Sequence, residues 1–267
     1  MVQPFDNFDP ITARWHGENA VALSHAARLA YRDSGTCVAD ANQWGFARAR
    51  LIDRRETQCL VLGNASAVVV AFRGTEPAKL QDWMTDLDAN LVPGPFGQVH
   101  DGFRRALSHV WDELTACVAE FQDRGQSLWA TGHSLGAALA TLTCARWREA
   151  DKPVNGLYTF GAPRVGNRDF ERTFNQDFGA RNFRCVNNAD LVTRVPLREM
   201  GYSHAGRLAY FDDDGKLRTD PGWWDRFLNH VKAHIADLGN LGPADINQHS
   251  MDQYMKLCEK NRTATPF

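Results

Sequence analysis

The pentapeptide Gly132-His133-Ser134-Leu135-Gly136 has the make-up of a turn that presents one hydroxyl. The apolar run Ser127 to Thr131 before it predicts a strand. Ala137 to Trp147 after it, rich in helix formers, predicts a helix. A serine at the tip of a tight strand-to-helix turn is held in a strained backbone conformation, and flanking glycines lack the Cβ that would strike the neighbouring strand and helix. The hydroxyl then stands above the end of a sheet beside a helix N-terminus, whose free N–H groups favour negative charge. That is the setting of a nucleophile. A Gly-Ser turn without chemistry is the bland alternative, and it leaves the flanking strand and helix unexplained.

A serine hydroxyl needs a neighbouring base, and a histidine base needs an acid that fixes its tautomer and stabilises its charged form. On a strand–elbow–helix scaffold these follow the serine in the order acid, then histidine. Asp190 fits the acid, because it follows the strand-like Phe183 to Val186 and precedes Leu191 to Pro196. Asp212, Asp213 and Asp214 fall in a hairpin turn and Asp225 on a helix. Of the later histidines, His249 lies in Asp245 to Ser250, read as a loop just before a helix, with its ring free to reach across. His204 lies near the hairpin, and His230 and His234 are mid-helix. Those two are four residues apart but lack the glutamate of a zinc motif, so no metal is expected there. An acyl-transfer site also needs two donors for the oxyanion. Leu135, after the serine, supplies one N–H; Thr75 in Arg73-Gly74-Thr75 fits the second, although that turn taken alone reads equally as a plain strand end.

These residues need a scaffold, and the chain is long enough for one. Its 267 residues are 43% hydrophobic, with 30 Lys and Arg against 32 Asp and Glu. Near-neutral charge gives no electrostatic reason to expect nucleic acid as a partner. The first twenty residues, with Asp6, Asp9, Arg14 and Glu18, lack a signal-peptide pattern, and no apolar run is long enough to span a bilayer. An intracellular protein, or one secreted after loss of a leader, is expected. The six cysteines form no C-x-x-C pair and read as buried small residues.

Residues 18–31 carry an apolar stripe that predicts a helix on the sheet. Gln58 to Leu62 and Ala67 to Phe72 flank Gly63-Asn64-Ala65-Ser66 and predict a hairpin whose second strand is buried on both faces. Residues 78–93, with Leu80, Trp83, Met84 and Leu87 on one side, predict an amphipathic helix ended by Pro93-Gly94-Pro95. It reads as a surface helix or as a lid over the site. Val99 to Phe103 opens a further helix, with His100 expected in the core. Gly156 to Phe160 and Phe183 to Val186 read as strands separated by helical patterns, which implies a largely parallel sheet with its ligand loops at the strand C-terminal ends. Leu208 to Arg218 reads as a hairpin, residues 223–238 as a helical insertion, and Ser250 onward as the last helix. A single domain over 1–267 is expected.

The chain resembles the class 3 lipases, typified by the filamentous-fungal triacylglycerol lipases. The matching blocks are Val70 to Thr75, Val99 to Phe103, Thr131 to Ala140, Thr159 to Asn167, Asn188 to Asp190 with Val195-Pro196, and His249 to Tyr254. They come in family order over about residues 15–258. The resemblance implies an α/β-hydrolase-type fold, a mostly parallel sheet with helices on both faces and a short helical lid, and hydrolysis of carboxylic esters without a cofactor or metal. It carries the nucleophile onto Ser134, the acid onto Asp190, the base onto His249, the oxyanion donors onto Thr75 and Leu135, and the lid tryptophan onto Trp83. Glu76-Pro77-Ala78-Lys79 is a longer lead-in to the lid than in the fungal lipases. The expected substrate is an ester or acylglycerol, with transient contact at a lipid interface. A soluble carboxylesterase, a phospholipase A1 and a non-catalytic lipid-binding relative are the alternatives.

Overall fold

A computed structural model describes residues 2–85, 89–188, 190–219 and 243–267. Two helices, α1 (Gly17–Leu29) and α2 (Ser34–Gln43), lead into three strands, β1 (Arg48–Arg54), β2 (Thr57–Gly63) and β3 (Ala67–Phe72). There follow α3 (Leu80–Thr85), β4 (Leu91–Gly94), β5 (Gly97–His100), α4 (Asp101–Phe121), β6 (Ser127–His133), α5 (Leu135–Glu149), β7 (Gly156–Phe160), β8 (Gly166–Asn167), α6 (Arg168–Phe178) and β9 (Asn182–Asn187). Beyond these lie β10 (Tyr202–Ser203), β11 (Arg207–Phe211), β12 (Leu217–Arg218), α7 (Pro243–His249) and α8 (Met251–Lys260).

The main sheet has the order β1-β2-β3-β6-β7-β9-β11-β12. The five strands β3, β6, β7, β9 and β11 run parallel, and antiparallel hairpins close both edges. Side chains alternate across this sheet as the two-residue strand period requires. From β3, Val68, Val70 and Phe72 enter a core with α4, α5 and α6, while Ala67, Val69 and Ala71 enter a second core with α1, α2 and α8. The continuous apolar text of β3 is therefore a strand covered on both faces. On α4, Phe103, Leu107, Val110, Leu114 and Val118 recur at helical spacing and fill the first core. The six cysteines are buried and unpaired.

Two expectations are corrected. The helix predicted over 78–93 is shorter: a 3-10 turn over Pro77–Lys79 leads into α3, which ends at Thr85. Leu91–Gly94 is instead a strand, antiparallel to β5, with Leu91 opposite His100 and Val92 opposite Val99. It is the edge of a small sheet of order β10-β8-β5-β4, where Pro93 is tolerated because an edge position does not require its missing N–H. His249 is not on a loop but ends α7. Proline fits the first position of a helix, and Ser250, extended and accepting from the Gln253 N–H, starts α8 at once. The predicted insertion 223–238, with His230, His234 and Asp225, lies outside the described residues, as does Leu87. Among the described residues no helix is long and apolar enough to cross a membrane.

Candidate active site

Register brings the ends of four parallel strands together. Phe72 pairs with Gly132, His133 with Phe160, and Phe160 with Cys185, so the loops after β3, β6, β7 and β9 share one rim. Ser134 sits at the β6–α5 junction with φ +57° and ψ −129°. This conformation is rare for a residue with a side chain and costs of the order of 1–3 kcal/mol, which the surroundings must offset. They do so by close packing. A Cβ at position 132 would lie 2.3 Å from the Gly136 carbonyl oxygen, and one at 136 would lie 2.3 Å from that of Phe72. The Ser134 N–H donates to the Phe160 carbonyl at 3.0 Å.

His249 Nδ1 and Asp190 Oδ2 are 2.9 Å apart, with both residues buried. A carboxylate only accepts, so Nδ1 carries the proton and Nε2 holds the free lone pair. Asp190 has two further donors. The Tyr254 hydroxyl reaches the same Oδ2 at 2.5 Å, and the Val192 N–H reaches Oδ1 at 2.9 Å. Burial pushes the Asp190 carboxyl up, but the charge and hydrogen bond of His249 and the hydrogen bond of Tyr254 outweigh it, leaving it below its ordinary value. The acid is thus held ionised. Gly161, at φ +60°, closes over the pair: a Cβ there would lie 2.8 Å from both Asp190 Oδ2 and His249 Cε1. The Phe160–Gly161 step therefore touches the backbone of Ser134 on one side and the Asp190–His249 pair on the other. Ser134 Oγ and His249 Nε2 are both buried and without a hydrogen-bond partner among the described residues.

Thr75 and Leu135 both line a cavity of about 510 Å³, and Thr75 also borders one of about 160 Å³ beside His249, Leu80 and Met251. The loop before Thr75 presses on the elbow, since a Cβ at Gly74 would lie 3.0 Å from Ser134 Cβ. Helix α3 lies over this region. Leu80 and Met84 pack with Val192 and Val195, on the segment after Asp190, and the Trp83 ring stacks on Phe103 at 6.4 Å and 17°. The other candidates stand apart. His100 is a core histidine at the start of α4, accepting from the Phe103 N–H, and His204 Nε2 is bonded to the Thr193 carbonyl. Asp212 holds its own hairpin turn through the N–H groups of Asp214 and Lys216.

Residues 69–200 match the family described as lipase (class 3). Over 204 residues the chain is 30% identical to the secreted mono- and diacylglycerol lipase LIP4 of Malassezia restricta, covering 71% of this chain and 67% of that protein. The chain belongs to the class 3 lipase family. Its fold is that of the family: it superposes, with a TM-score of 0.66 and 25% identity, on a triacylglycerol lipase whose catalytic centre is a serine-protease triad, covering 75% of this chain and 82% of that one. It is also 33% identical over 200 residues to phospholipase A1-II 1 of Oryza sativa subsp. indica, covering 64% of this chain and 48% of the rice protein. The chain thus spans about two-thirds of the Malassezia relative and about half of the rice one.

In this class 3 lipase four residues at the site escaped the sequence reading: Tyr254, Gly161, His133 and Tyr31. His133 was read only as part of the elbow. Yet its Nε2 is 2.6 Å from the His249 carbonyl and its Nδ1 is 2.8 Å from the Tyr31 hydroxyl. The one available signal was position. Tyr254 lies shortly after His249, across the junction of α7 and α8, and Gly161 directly follows β7, the neighbour of the elbow strand.

Proposed function

We propose that this lipase hydrolyses acylglycerol esters through an acyl-enzyme on Ser134, with His249 as general base and Asp190 as its orienting acid. The observation that carries this reading is the buried 2.9 Å contact between His249 Nδ1 and Asp190 Oδ2, beside an elbow where His249 Nε2 and Ser134 Oγ have no hydrogen-bond partner among the described residues. Such contacts commonly tighten only when substrate binds. Nε2 takes the Ser134 proton as Oγ attacks the ester carbonyl. The N–H groups of Thr75 and Leu135 stabilise the oxyanion, and His249 returns the proton to the departing alcohol. Water then enters by the same route: His249 takes one of its protons as the water oxygen bonds to the acyl carbonyl carbon, the acyl–Oγ bond breaks, and His249 returns the proton to Ser134 Oγ as the fatty acid leaves.

Helix α3 serves as the lid. In the described arrangement Leu80 and Met84 are buried against Val192 and Val195; at a lipid surface the same side chains can be buried in lipid instead, so opening exchanges one apolar contact for another. The acylglycerol assignment draws on the Malassezia relative, and the rice relative makes phospholipid the second substrate to measure. Hydrolysis of a short-chain triacylglycerol is followed across its solubility limit, beside phosphatidylcholine vesicles. The expected result is a rise in rate once emulsion forms, with Ser134→Ala lowering kcat on the order of 10⁴-fold or more on either side of the limit. Saturation below the solubility limit with no further rise would make the protein a soluble esterase. Release of fatty acid from the vesicles alone would make it a phospholipase.

A further inference from the structure

We propose that His133 is a positioning residue, holding the backbone of His249 and tying it through Tyr31 to the loop that carries Thr75. This rests on the reading of Ser134, His249 and Thr75 given above. The hydrogen-bond directions follow from chemistry. The His249 carbonyl can only accept, so His133 Nε2, at 2.6 Å, carries the proton. In a neutral ring Nδ1 is then an acceptor, and the Tyr31 hydroxyl at 2.8 Å donates to it. The Tyr31 oxygen in turn lies against Gly74, so close that a Cβ there would come within 2.5 Å of it. One chain therefore runs from Gly74, beside Thr75, by packing to Tyr31 after α1, and from there by hydrogen bonds through His133 at the end of β6 to the last carbonyl of α7.

That carbonyl matters because a helix end leaves its final C=O groups without helical partners. Two consecutive ones at the end of α7 are taken by side chains, Gln248 by Asn187 Nδ2 at 2.7 Å and His249 by His133. With Asp190 on Nδ1, the His249 residue is fixed at ring and backbone at once. The chain works only while His133 is neutral, since a second proton would occupy Nδ1 and turn the Tyr31 bond away. Full burial, with the nearby charge of His249, lowers the His133 pKa to about 3. The two imidazoles lie 4.5 Å apart between centroids, so a neutral His133 also spares the His249 imidazolium a like-charge neighbour.

The test uses three substitutions in the full chain and a short soluble p-nitrophenyl ester. His133→Phe keeps a ring and removes both nitrogens; His133→Gln keeps an N–H that reaches the same carbonyl; Tyr31→Phe removes only the hydroxyl. His133→Phe is expected to lower kcat by about 10- to 100-fold with KM changed by less than about twofold, as a misplaced base would. His133→Gln should recover most of that loss. Tyr31→Phe should cost less alone, and much less again in the His133→Phe background than in the wild type, because the two act through one chain. A merely structural histidine would lower the denaturant midpoint and leave kcat per active site, titrated with a phosphonate, unchanged; that outcome overturns the proposal. Full additivity of the two losses overturns it as well. Should His133→Phe not fold, Tyr31→Phe alone is read: a lowered kcat at unchanged KM supports the proposal, and unchanged kcat overturns it. Failure of the phosphonate to modify Ser134 in the wild type would be a failure of the underlying reading, and the proposal would fall with it.

Discussion

Tyr254 shows what a single hydroxyl contributes to the site. It accepts from the Asn187 N–H at 3.0 Å and donates to Asp190 Oδ2 at 2.5 Å, so one oxygen links the end of β9 to the buried acid. Hydrogen bonds to charged groups are worth roughly 1.5–3 kcal/mol, and Tyr254→Phe should lower unfolding free energy by about that amount near neutral pH. The pH dependence has a definite sign. Asp190 is held below its ordinary value, so its contribution to stability is present above the unfolded carboxylate pKa, about 3.9, and is lost as pH falls through the lower folded value. The gap between wild type and Tyr254→Phe should therefore narrow as pH falls below about 4, read from urea titrations at several pH values. A gap that stays constant with pH would mean that the hydroxyl does not stabilise the ionised acid. Chain order and residue type single out Ser134, Asp190 and His249 as candidates, and the fold brings Asp190 and His249 into hydrogen-bond contact. The roles of Tyr254 and His133 were not legible, because they depend on which way a side chain points across 64 and 116 residues of separation.

The connections after the strands decide what those residues can do. The turn after β7 is the most constrained, with Gly161 at φ +60° and no room for a Cβ between Asp190 and His249. Gly161→Ala must push one of them aside, and displacement of the order of 1 Å in a catalytic group can cost about 100-fold. A fall in kcat of about that size is expected, with the circular dichroism spectrum retained. Unchanged kcat would show that the turn can yield without moving the pair. The β2–β3 hairpin lies where two apolar runs flank Gly63 to Ser66, and α4 starts at Asp101 within the Val99 to Phe103 opening. The small sheet was not, since β8 and β10 are two residues each and are held by pairings such as Val99 with Gly166, which no local pattern encodes. The excess length of the helix predicted over 78–93 has the same origin. Leu91 fits the stripe of α3, but its backbone pairs with His100. His249 was misplaced because Asp245 to Ser250 is polar enough to read as a loop, although α7 reaches its last residue there.

At the scale of the molecule, the sheet separates two apolar cores and brings its functional loops to one end. The buried parallel strands have no solvent face, so their register is fixed by packing on both sides, and that register places the ends of β3, β6, β7 and β9 side by side. The fold class was legible for this reason: continuous apolar strands alternating with amphipathic helices allow few other arrangements. The order of family-like blocks along the chain did the rest, and family membership agrees with it. What the whole scaffold presents at that end is one serine in a strained elbow. The most direct measurement is modification with a p-nitrophenyl phosphonate ester followed by peptide mass spectrometry and an ester assay on the same sample. A single adduct on the peptide containing Ser134, formed in step with loss of hydrolysis and absent from Ser134→Ala, is the predicted result. An adduct on another residue, or full hydrolysis by a chain modified at Ser134, would contradict the account.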